Sequence, residues 1–442
     1  MIGSLHILPP WRLSTSSTVS FRPPECALTK QGERFLTSLV AVADDSAAAN
    51  RLIRKFVASS PKAVALTTLS HLLSPNPIRQ PQLSLLALPL YRRMSEATWF
   101  SWNPKLAAEL ISLLESQSRF EEADVLISET LSKLGFRERE LVLFYSNLID
   151  SQSKHKLGSA RFDTEACLKE MILGSSSVYV KQRAYEAVIA ALCSMDRVAE
   201  AEGLIGEMRR GGLKPSVYEF RCVVHGYGRM GLFEDMMRIV DAMEKAGLEV
   251  DTVCSNMILS SYGAGRRYAE MAAWVGRMKK SSVGLSIRTY NSVLNSCTKI
   301  MALVQDMGEL PLSIKEMMNV LGGDEGLVIQ ELIESSVLID VMEMSLTEGK
   351  LDLHGMHLGS AYLIILQWTE ELKLRWGGGE SMIPQDMVVV CGLGKHSINR
   401  GESPVKEIVK VMMGRMGSPF RLDRKNAGCF TAKGRAVKNW LC

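Results

Sequence analysis

At 442 residues the chain is too long for one compact core, so two or three units are expected. A hydrophobic fraction of 46% excludes wholesale disorder, and no apolar run reaches the roughly 18 residues of a membrane-spanning helix. The formal net charge of +4 is modest, and the nine cysteines form neither a Cys-x-x-Cys pair nor a Cys/His cluster at zinc spacing. The chain opens on a segment unlike the rest. Its first acid is Glu25, preceded by Ser4, Arg12, Ser14, Thr15, Ser16, Ser17, Thr18, Ser20 and Arg22. Acid-poor, hydroxyl-rich, arginine-bearing composition without a long apolar core marks an organelle transit peptide and argues against secretion. Residues 1–45 are therefore expected to be a transit peptide or disordered leader, with chloroplast as destination and mitochondrion as the alternative.

A second acid-free stretch, 46–95, carries Arg51, Arg54, Lys55, Lys62, Arg79, Arg92 and Arg93, but its leucine-rich interior predicts a folded segment. Residues 46–181 read as helical with degenerate repeats. Within them 104–138 loosely fits a thirty-five-residue template, and 139–181 resembles another unit enlarged around 154–161. The template itself is clear in 182–216, 217–251 and 252–286. Small apolar pairs (Val188-Ile189, Val223-Val224, Ile258-Leu259) and a late methionine (Met208, Met243, Met278) recur at fixed offsets. Each unit predicts two short helices that cannot bury their own apolar face, so neighbours must stack. Cys193, Cys222, Cys254 and Cys297 fall in the apolar stripes and are expected as core residues in a reducing compartment. A partial unit begins at 287, which sets the array at 182–301.

Residues 302–348 are expected to be an acidic helical connector, since 301–348 hold ten acids against Lys315 alone. From 349 to 442 strands and helices alternate, which predicts a small α/β layer. The strands are Leu351-Asp352-Leu353-His354-Gly355, 387–391, 420–422 and 429–431; the helices are 359–376 and 403–416. Here 14 Lys/Arg stand against 8 Asp/Glu over 350–442, a balance suited to a polyanion. Arg421, Arg424, Lys425, Lys433, Arg435 and Lys438 form a candidate basic face for phosphates, or a solvated face that aids solubility.

Through Tyr185-Glu186-Ala187-Val188-Ile189, Met208-Arg209-Arg210-Gly211-Gly212-Leu213-Lys214-Pro215 and Tyr290-Asn291-Ser292-Val293-Leu294, the array resembles the pentatricopeptide repeat. Through Leu351-Asp352-Leu353-His354-Gly355 and Gly392-Leu393-Gly394-Lys395-His396-Ser397, the C-terminal part resembles a small MutS-related domain. The order of the two is similar to that of plant organellar proteins joining both. The fold implied is mainly α, a helical-hairpin solenoid followed by a small two-layer α/β domain. The repeat resemblance implies single-stranded RNA read by the fifth and last residue of each unit. Those residues are Glu186 with Ser216, Arg221 with Asp251, and Asn256 with Ser286, and Asn291 takes the fifth place of the partial unit. Only Asn256/Ser286 resembles a known code pair, one that favours a pyrimidine. Glu186 and Arg221 depart from the usual Asn, Thr or Ser, and a solvated helix residue is the plain alternative at each.

The C-terminal resemblance implies nuclease activity. On a strand, Asp352 and His354 would share a face while Leu351 and Leu353 point inward. A carboxylate beside an imidazole can orient the ring and stabilise its protonated form, giving an acid–base unit for an RNA 2′-hydroxyl or a water. Gly392 and Gly394 would expose backbone N–H groups to a phosphate, with Lys395 and His396 holding or protonating it. Cys391 stands where the family motif commonly has Thr. His357, just past the turn, reads as a surface residue. No cofactor is assigned, and a divalent metal is a candidate for cleavage. The combined reading is an organellar RNA-binding protein of RNA processing or stability with an endoribonuclease candidate. The alternative is a non-catalytic RNA-end-protecting or scaffold factor that holds other organellar RNA-processing proteins.

Overall fold

The computed structural model describes residues 28–42, 45–74, 81–155, 162–281, 283–378, 382–393 and 403–442. The chain divides into two compact units, Met1–Ala191 and Leu192–Cys442.

The described residues of the first unit are helical: α1 (Lys30–Val40), α2 (Ser46–Ser59), α3 (Lys62–Leu73), α4 (Pro81–Ser84), α5 (Ala87–Ser95), α6 (Pro104–Ser116), α7 (Phe120–Leu134), α8 (Glu138–Lys154), α9 (Thr164–Gly174) and most of α10 (Val178–Ser194). Local chemistry starts several of them. Thr29 caps α1, Asp45 caps α2, and Asn103 caps α6 with Pro104 in the first turn, where its missing N–H costs nothing. Helix α1 corrects the leader boundary at 45. Its Phe35, Leu36 and Leu39 are buried, and Phe35 stacks on Phe56 with ring centroids 3.8 Å apart. An apolar stripe that wide seats a helix on a core, so the fold starts before residue 46. Residues 1–27, which carry the leader expectation, and 156–161 of the enlarged loop lie outside the described residues.

The second unit opens with α11 (Val198–Arg210), α12 (Val217–Arg229), α13 (Phe233–Lys245), α14 (Thr252–Ala264), α15 (Tyr268–Lys280), α16 (Ile287–Leu294) and α17 (Thr298–Gln305). First helices start at 217, 252 and 287 and second helices at 198, 233 and 268. The turn between the helices of each hairpin uses one left-handed residue: Asp196 (φ 64°), Gly231 (φ 74°) and Arg266 (φ 54°). The next N–H then donates back to a carbonyl of the first helix: Arg197 to Leu192 (2.9 Å), Leu232 to Tyr227 (3.0 Å) and Arg267 to Tyr262 (2.8 Å). That bond offsets the steric cost, roughly 1–2 kcal/mol, of placing Asp or Arg there. Ser118 (φ 60°), with Arg119 N donating to Leu114 O at 2.9 Å, builds the same turn in the first unit.

Beyond the array come α18 (Ile314–Leu321), α19 (Gly323–Ile333) and α20 (Val337–Val341). Helix α19 packs on α15, and Lys279 Nζ reaches Glu331 (2.7 Å) and Glu334 (3.1 Å). Buried Glu325 accepts from Lys299 N (2.8 Å) and Ile300 N (3.1 Å), so it caps α17 from outside. Three of the acids thus serve packing.

A five-stranded sheet follows, in order β1-β2-β3-β5-β4: β1 (Met342–Met344), β2 (Glu348–Asp352), β3 (Asp386–Val390), β4 (Arg421–Leu422) and β5 (Cys429–Lys433). Only β2 and β3 are parallel, joined through α21 (Leu358–Gly377); α22 (Pro404–Arg415) and α23 (Gly434–Leu441) complete the layer. Helix α21 is apolar nearly all round, with Ala361, Tyr362, Leu363, Ile364, Ile365, Leu366 and Trp368 at 0% exposure, and it touches α16, α17, α18, α20, α22 and α23. A helix of that kind belongs in the middle of a core. The expected class, mainly α with a small α/β layer, is the one found. Three details differ from expectation. β1 lies inside the segment expected to be a helical connector, α23 occupies the basic tail, and β2 ends at Asp352 instead of running to Gly355.

Candidate nucleic-acid interface

Helices α12, α14 and α16 pack side by side and carry Arg221, Asn256 and Asn291 at equivalent places. One residue before each helix stand Ser216, Asp251 and Ser286, all three as N-caps. Ser216 Oγ accepts from Tyr218 N at 3.1 Å, Asp251 Oδ1 from Cys254 N at 2.9 Å, and Ser286 Oγ from Thr289 N at 3.3 Å. The last-place residues therefore hold helix ends, whatever else they do.

The fifth-place residues differ sharply. Arg221 Nη2 donates to Asp251 Oδ2 at 2.8 Å, so the two candidate base contacts of that repeat neutralise one another. Asn256 is half-buried, and its Oδ1, like Arg221 Nε, is buried without a hydrogen-bond partner among the described residues. Glu186, in the first unit, accepts from Arg183 at 2.6 Å. Asn291 is occupied at both ends: Nδ2 donates to Gly355 O (2.9 Å) and Oδ1 accepts from His357 N (2.9 Å). Beside it Asn295 Nδ2 lies 2.7 Å from His357 Nδ1, and Tyr290 OH donates to Leu332 O at 2.6 Å. This corrects the expectation that Asn291 faces RNA. The fourth hairpin has lost its regular second helix, and the α/β layer packs where another repeat would, so the amide is spent on that joint. His357 is likewise no surface residue; it is half-buried and burial lowers its pKa.

The C-terminal candidates meet where parallel β2 and β3 end, the edge where α/β sheets usually hold ligands. Leu353 N donates to Val390 O at 2.9 Å, tying the two strand ends. Gly392 has φ 78°, which a side chain disfavours, and a Cβ there would lie 3.5 Å from His354 Cδ2. Gly428, the last residue of the β4–β5 turn, approaches the same backbone, and its O accepts from Cys391 N at 2.8 Å. Ser403, the N-cap of α22, places Oγ 3.3 Å from Cys391 O. His354, Gly392, Gly428 and the start of α22 thus share one edge, flanked by exposed Arg424 and Lys425.

Asp352 does not orient the imidazole as expected. Its Oδ1 accepts from the backbone N of His354 at 2.9 Å, and Oδ2 lies 3.5 Å from Lys350 Nζ. With β2 ended, the carboxylate shapes the turn and His354 stands exposed in it. Leu351 and Leu353 are buried as alternation predicts. Gly394, Lys395 and His396 lie outside the described residues. Burial pushes the Cys391 thiol up to about 12, which keeps it an inert neutral side chain at neutral pH. Of the basic face, Lys433 pairs with Asp386 (2.6 Å) and Arg421 donates to Ser418 O (2.9 Å) and Phe420 O (2.8 Å). Among the described residues no group of three or more His, Cys, Asp or Glu is placed to hold a metal ion, and no helix is long and apolar enough to cross a membrane.

Sequence reasoning passed over His225, one turn beyond Arg221 on α12. Burial, then Arg229, pushes its pKa down to about 4. The unfolded value is about 6.5, so at mildly acid pH the unfolded chain binds the extra proton. The neutral ring's contribution is complete above about pH 6.5 and is lost as pH falls toward 4. A His225→Phe variant should flatten that loss, by up to about 3 kcal/mol at its acid end. Urea midpoints measured across this pH window check it; parallel slopes for both proteins would refute it.

Comparison with known proteins places the repeats. Residues 183–213 match the PPR repeat model, and 203–265 and 239–299 match the pentatricopeptide repeat domain model. A pentatricopeptide repeat-containing protein of Arabidopsis thaliana is 51% identical over 436 residues, covering 98% of this chain and 86% of its own length. A chloroplastic relative from Oryza sativa subsp. japonica, a homolog of the pentatricopeptide repeat-containing protein ATP4, is 23% identical over 58% of this chain and 39% of its own length. The crystal structure of the maize pentatricopeptide repeat protein PPR10 aligns at 15% identity and a TM-score of 0.34, covering 85% of this chain and 63% of that one.

Proposed function

The chain belongs to the pentatricopeptide repeat family, and on that premise we propose that it is an organellar RNA-binding protein acting in RNA processing or stability. The observation that carries the reading is Asn256. It stands half-buried in the row of first helices, and its amide oxygen is buried without a hydrogen-bond partner among the described residues, whereas the Arg221 guanidinium is ion-paired to Asp251 and the Asn291 amide is bonded at both ends to the 355–357 turn. Turned toward a base edge, that amide offers both donor and acceptor, so of these three positions Asn256 is the one left to discriminate and the array grips more than it reads. An Asn256→Ala variant should bind a pyrimidine-bearing single strand roughly 2- to 10-fold more weakly, the worth of one or two neutral hydrogen bonds. Fluorescence anisotropy with matched oligonucleotides checks it, and unchanged affinity removes Asn256 from the interface.

The C-terminal edge is proposed as the phosphate-facing part of the same protein, after its resemblance to a small MutS-related domain. In that reading His354 is the proton-transfer group and Gly392 exposes backbone to the phosphate, while Asp352 fixes the turn. A second reading, that this edge holds RNA ends without cutting, is favoured by the Asp352 carboxylate being spent on a backbone N–H. Labelled organellar RNA incubated with wild type and with His354→Ala separates them. Cleavage by wild type alone supports the nuclease, a footprint without product supports the shield, and equal cleavage by both eliminates His354 as the catalyst.

A further inference from the structure

The first unit holds a groove of about 440 Å³ between α2, α5 and α7. The stretch supplying two of its walls, 46–95, has seven Lys/Arg and no acid. Helices α2 and α5 bury Ile53, Phe56 and Val57, and Leu88, Leu90, Tyr91 and Met94, which leaves their arginines on the outer faces. Asn50, Arg54, Arg92, Arg93 and Arg119 line the groove, together with Glu96 and Glu122. Each glutamate is already matched one turn away, Glu96 by Arg93 and Glu122 by Arg119. Arg54 and Arg92 make no ion pair among the described residues, although Arg92 also acts on Glu122, so the groove carries four guanidiniums against two carboxylates. Its wall is preset: Arg119 also donates to Leu85 O (3.3 Å) and Gln117 Oε1 (3.2 Å), tying the start of α7 to the loop before α5.

We propose that this groove binds the phosphodiester backbone of single-stranded RNA without reading bases. Guanidiniums suit phosphate oxygens because their planar fork gives two parallel charge-assisted hydrogen bonds, and the Asn50 amide adds a neutral donor. Among the described residues no aromatic ring lines the groove, so none of them stacks on a base or selects one. A recess between three helices admits a strand, whereas a flat anionic bilayer meets only its rim. The proposal rests on the reading of the chain as an RNA-binding protein and adds a second, sequence-independent contact in a different unit from Asn256.

The test uses the full chain and two unrelated labelled oligoribonucleotides, titrated from about 50 to 200 mM salt, where phosphate contacts dominate the salt response. An Arg54→Gln/Arg92→Gln variant should bind both sequences more weakly and by the same factor. Its slope of log affinity against log salt should be shallower by about 1.4, at roughly 0.7 per lost single-strand contact. Arg54→Lys/Arg92→Lys should keep most of the slope, and neither variant should lower the melting temperature, since both side chains are exposed. An unchanged slope in the glutamine variant overturns the groove, as does a variant that keeps RNA binding but loses retention on phosphatidylserine vesicles. Asn256→Ala is the internal comparison. If it changes nothing while Arg54→Gln/Arg92→Gln removes binding, the base-reading proposal falls and the groove stands; the reverse pattern sinks the groove alone.

Discussion

An Asn291→Ala variant should unfold with about 3 kcal/mol less stability than the parent and should leave base preference unchanged. The side chain is only 8% exposed, and its two ends satisfy two main-chain groups of another element, Gly355 O and His357 N. Truncation leaves both without their partner, at about 1–3 kcal/mol each, with some relief from water entering the gap. Asn291→Asp separates the two contacts, since a carboxylate can still accept from His357 N but sets a buried oxygen against Gly355 O, and its loss should be at least as large as alanine's at neutral pH and shrink as acid protonates it. The same turn carries His354, so amide exchange at 353–357 should quicken in both variants. Urea unfolding and hydrogen exchange read the stability, and a panel of oligonucleotides differing at one base reads the preference. A residue that recognised RNA would give the opposite pattern, with altered preference and unaltered stability, and that outcome would return Asn291 to the interface.

This contrast explains why some of the molecule was legible in the sequence and some was not. Whatever is settled within one hairpin repeats in the letters. The caps at Ser216, Asp251 and Ser286, and the left-handed residues Asp196, Gly231 and Arg266, stand at fixed offsets because each hairpin solves the same local problem. Even the weak match at Ser118-Arg119-Phe120 corresponds to the same turn geometry. Asn291 occupies a base-reading offset, and only its partners show otherwise, 64 and 66 residues away across a joint that no periodicity encodes. Strand β1 was hidden for a related reason. Three residues at a sheet edge carry too little alternation to stand out from an acidic helical stretch. The turn at Asp352 is legible in the letters, because Asp-Leu-His-Gly is turn chemistry: the carboxylate caps the N–H two residues on and glycine takes the positive φ. Alternation buries Leu351 and Leu353, but the strand itself stops at Asp352, where the turn begins.

A Gly263→Val variant should strongly damage the array, costing about 2–3 kcal/mol, because the repeats touch through small residues at one recurring place. A Cβ at Gly263 would fall well inside contact distance of Ser296 and 2.8 Å from Met271 Cε; one at Gly228 would fall 2.7 Å from Ser261 Cβ. At Gly226 it would meet Val198 Cγ2 at 2.7 Å and Cys193 Cβ at 3.5 Å. The pairs 193/226, 228/261 and 263/296 advance with the repeat, so one member of each is glycine to let adjacent hairpins close. Valine adds three carbons where the first already collides, and overpacking of that kind typically costs 1–3 kcal/mol and sometimes more. Better helix propensity returns only about 0.5 kcal/mol. Met271 Cε can swing aside but Ser296 Cβ is fixed to the backbone, so α14 and the turn after α16 must move apart, which would widen the row holding Asn256 and weaken RNA binding along with stability. Two companions make the result specific. Ser296→Gly should restore part of the loss in the double variant, with a coupling of about 1 kcal/mol or more. Gly203→Ala on α11, where no described residue lies within 4 Å of the added carbon, should instead stabilise by up to about 1 kcal/mol. Equal losses at Gly203 and Gly263 would mean that the array is merely intolerant of substitution and that close approach at this place does not set its spacing.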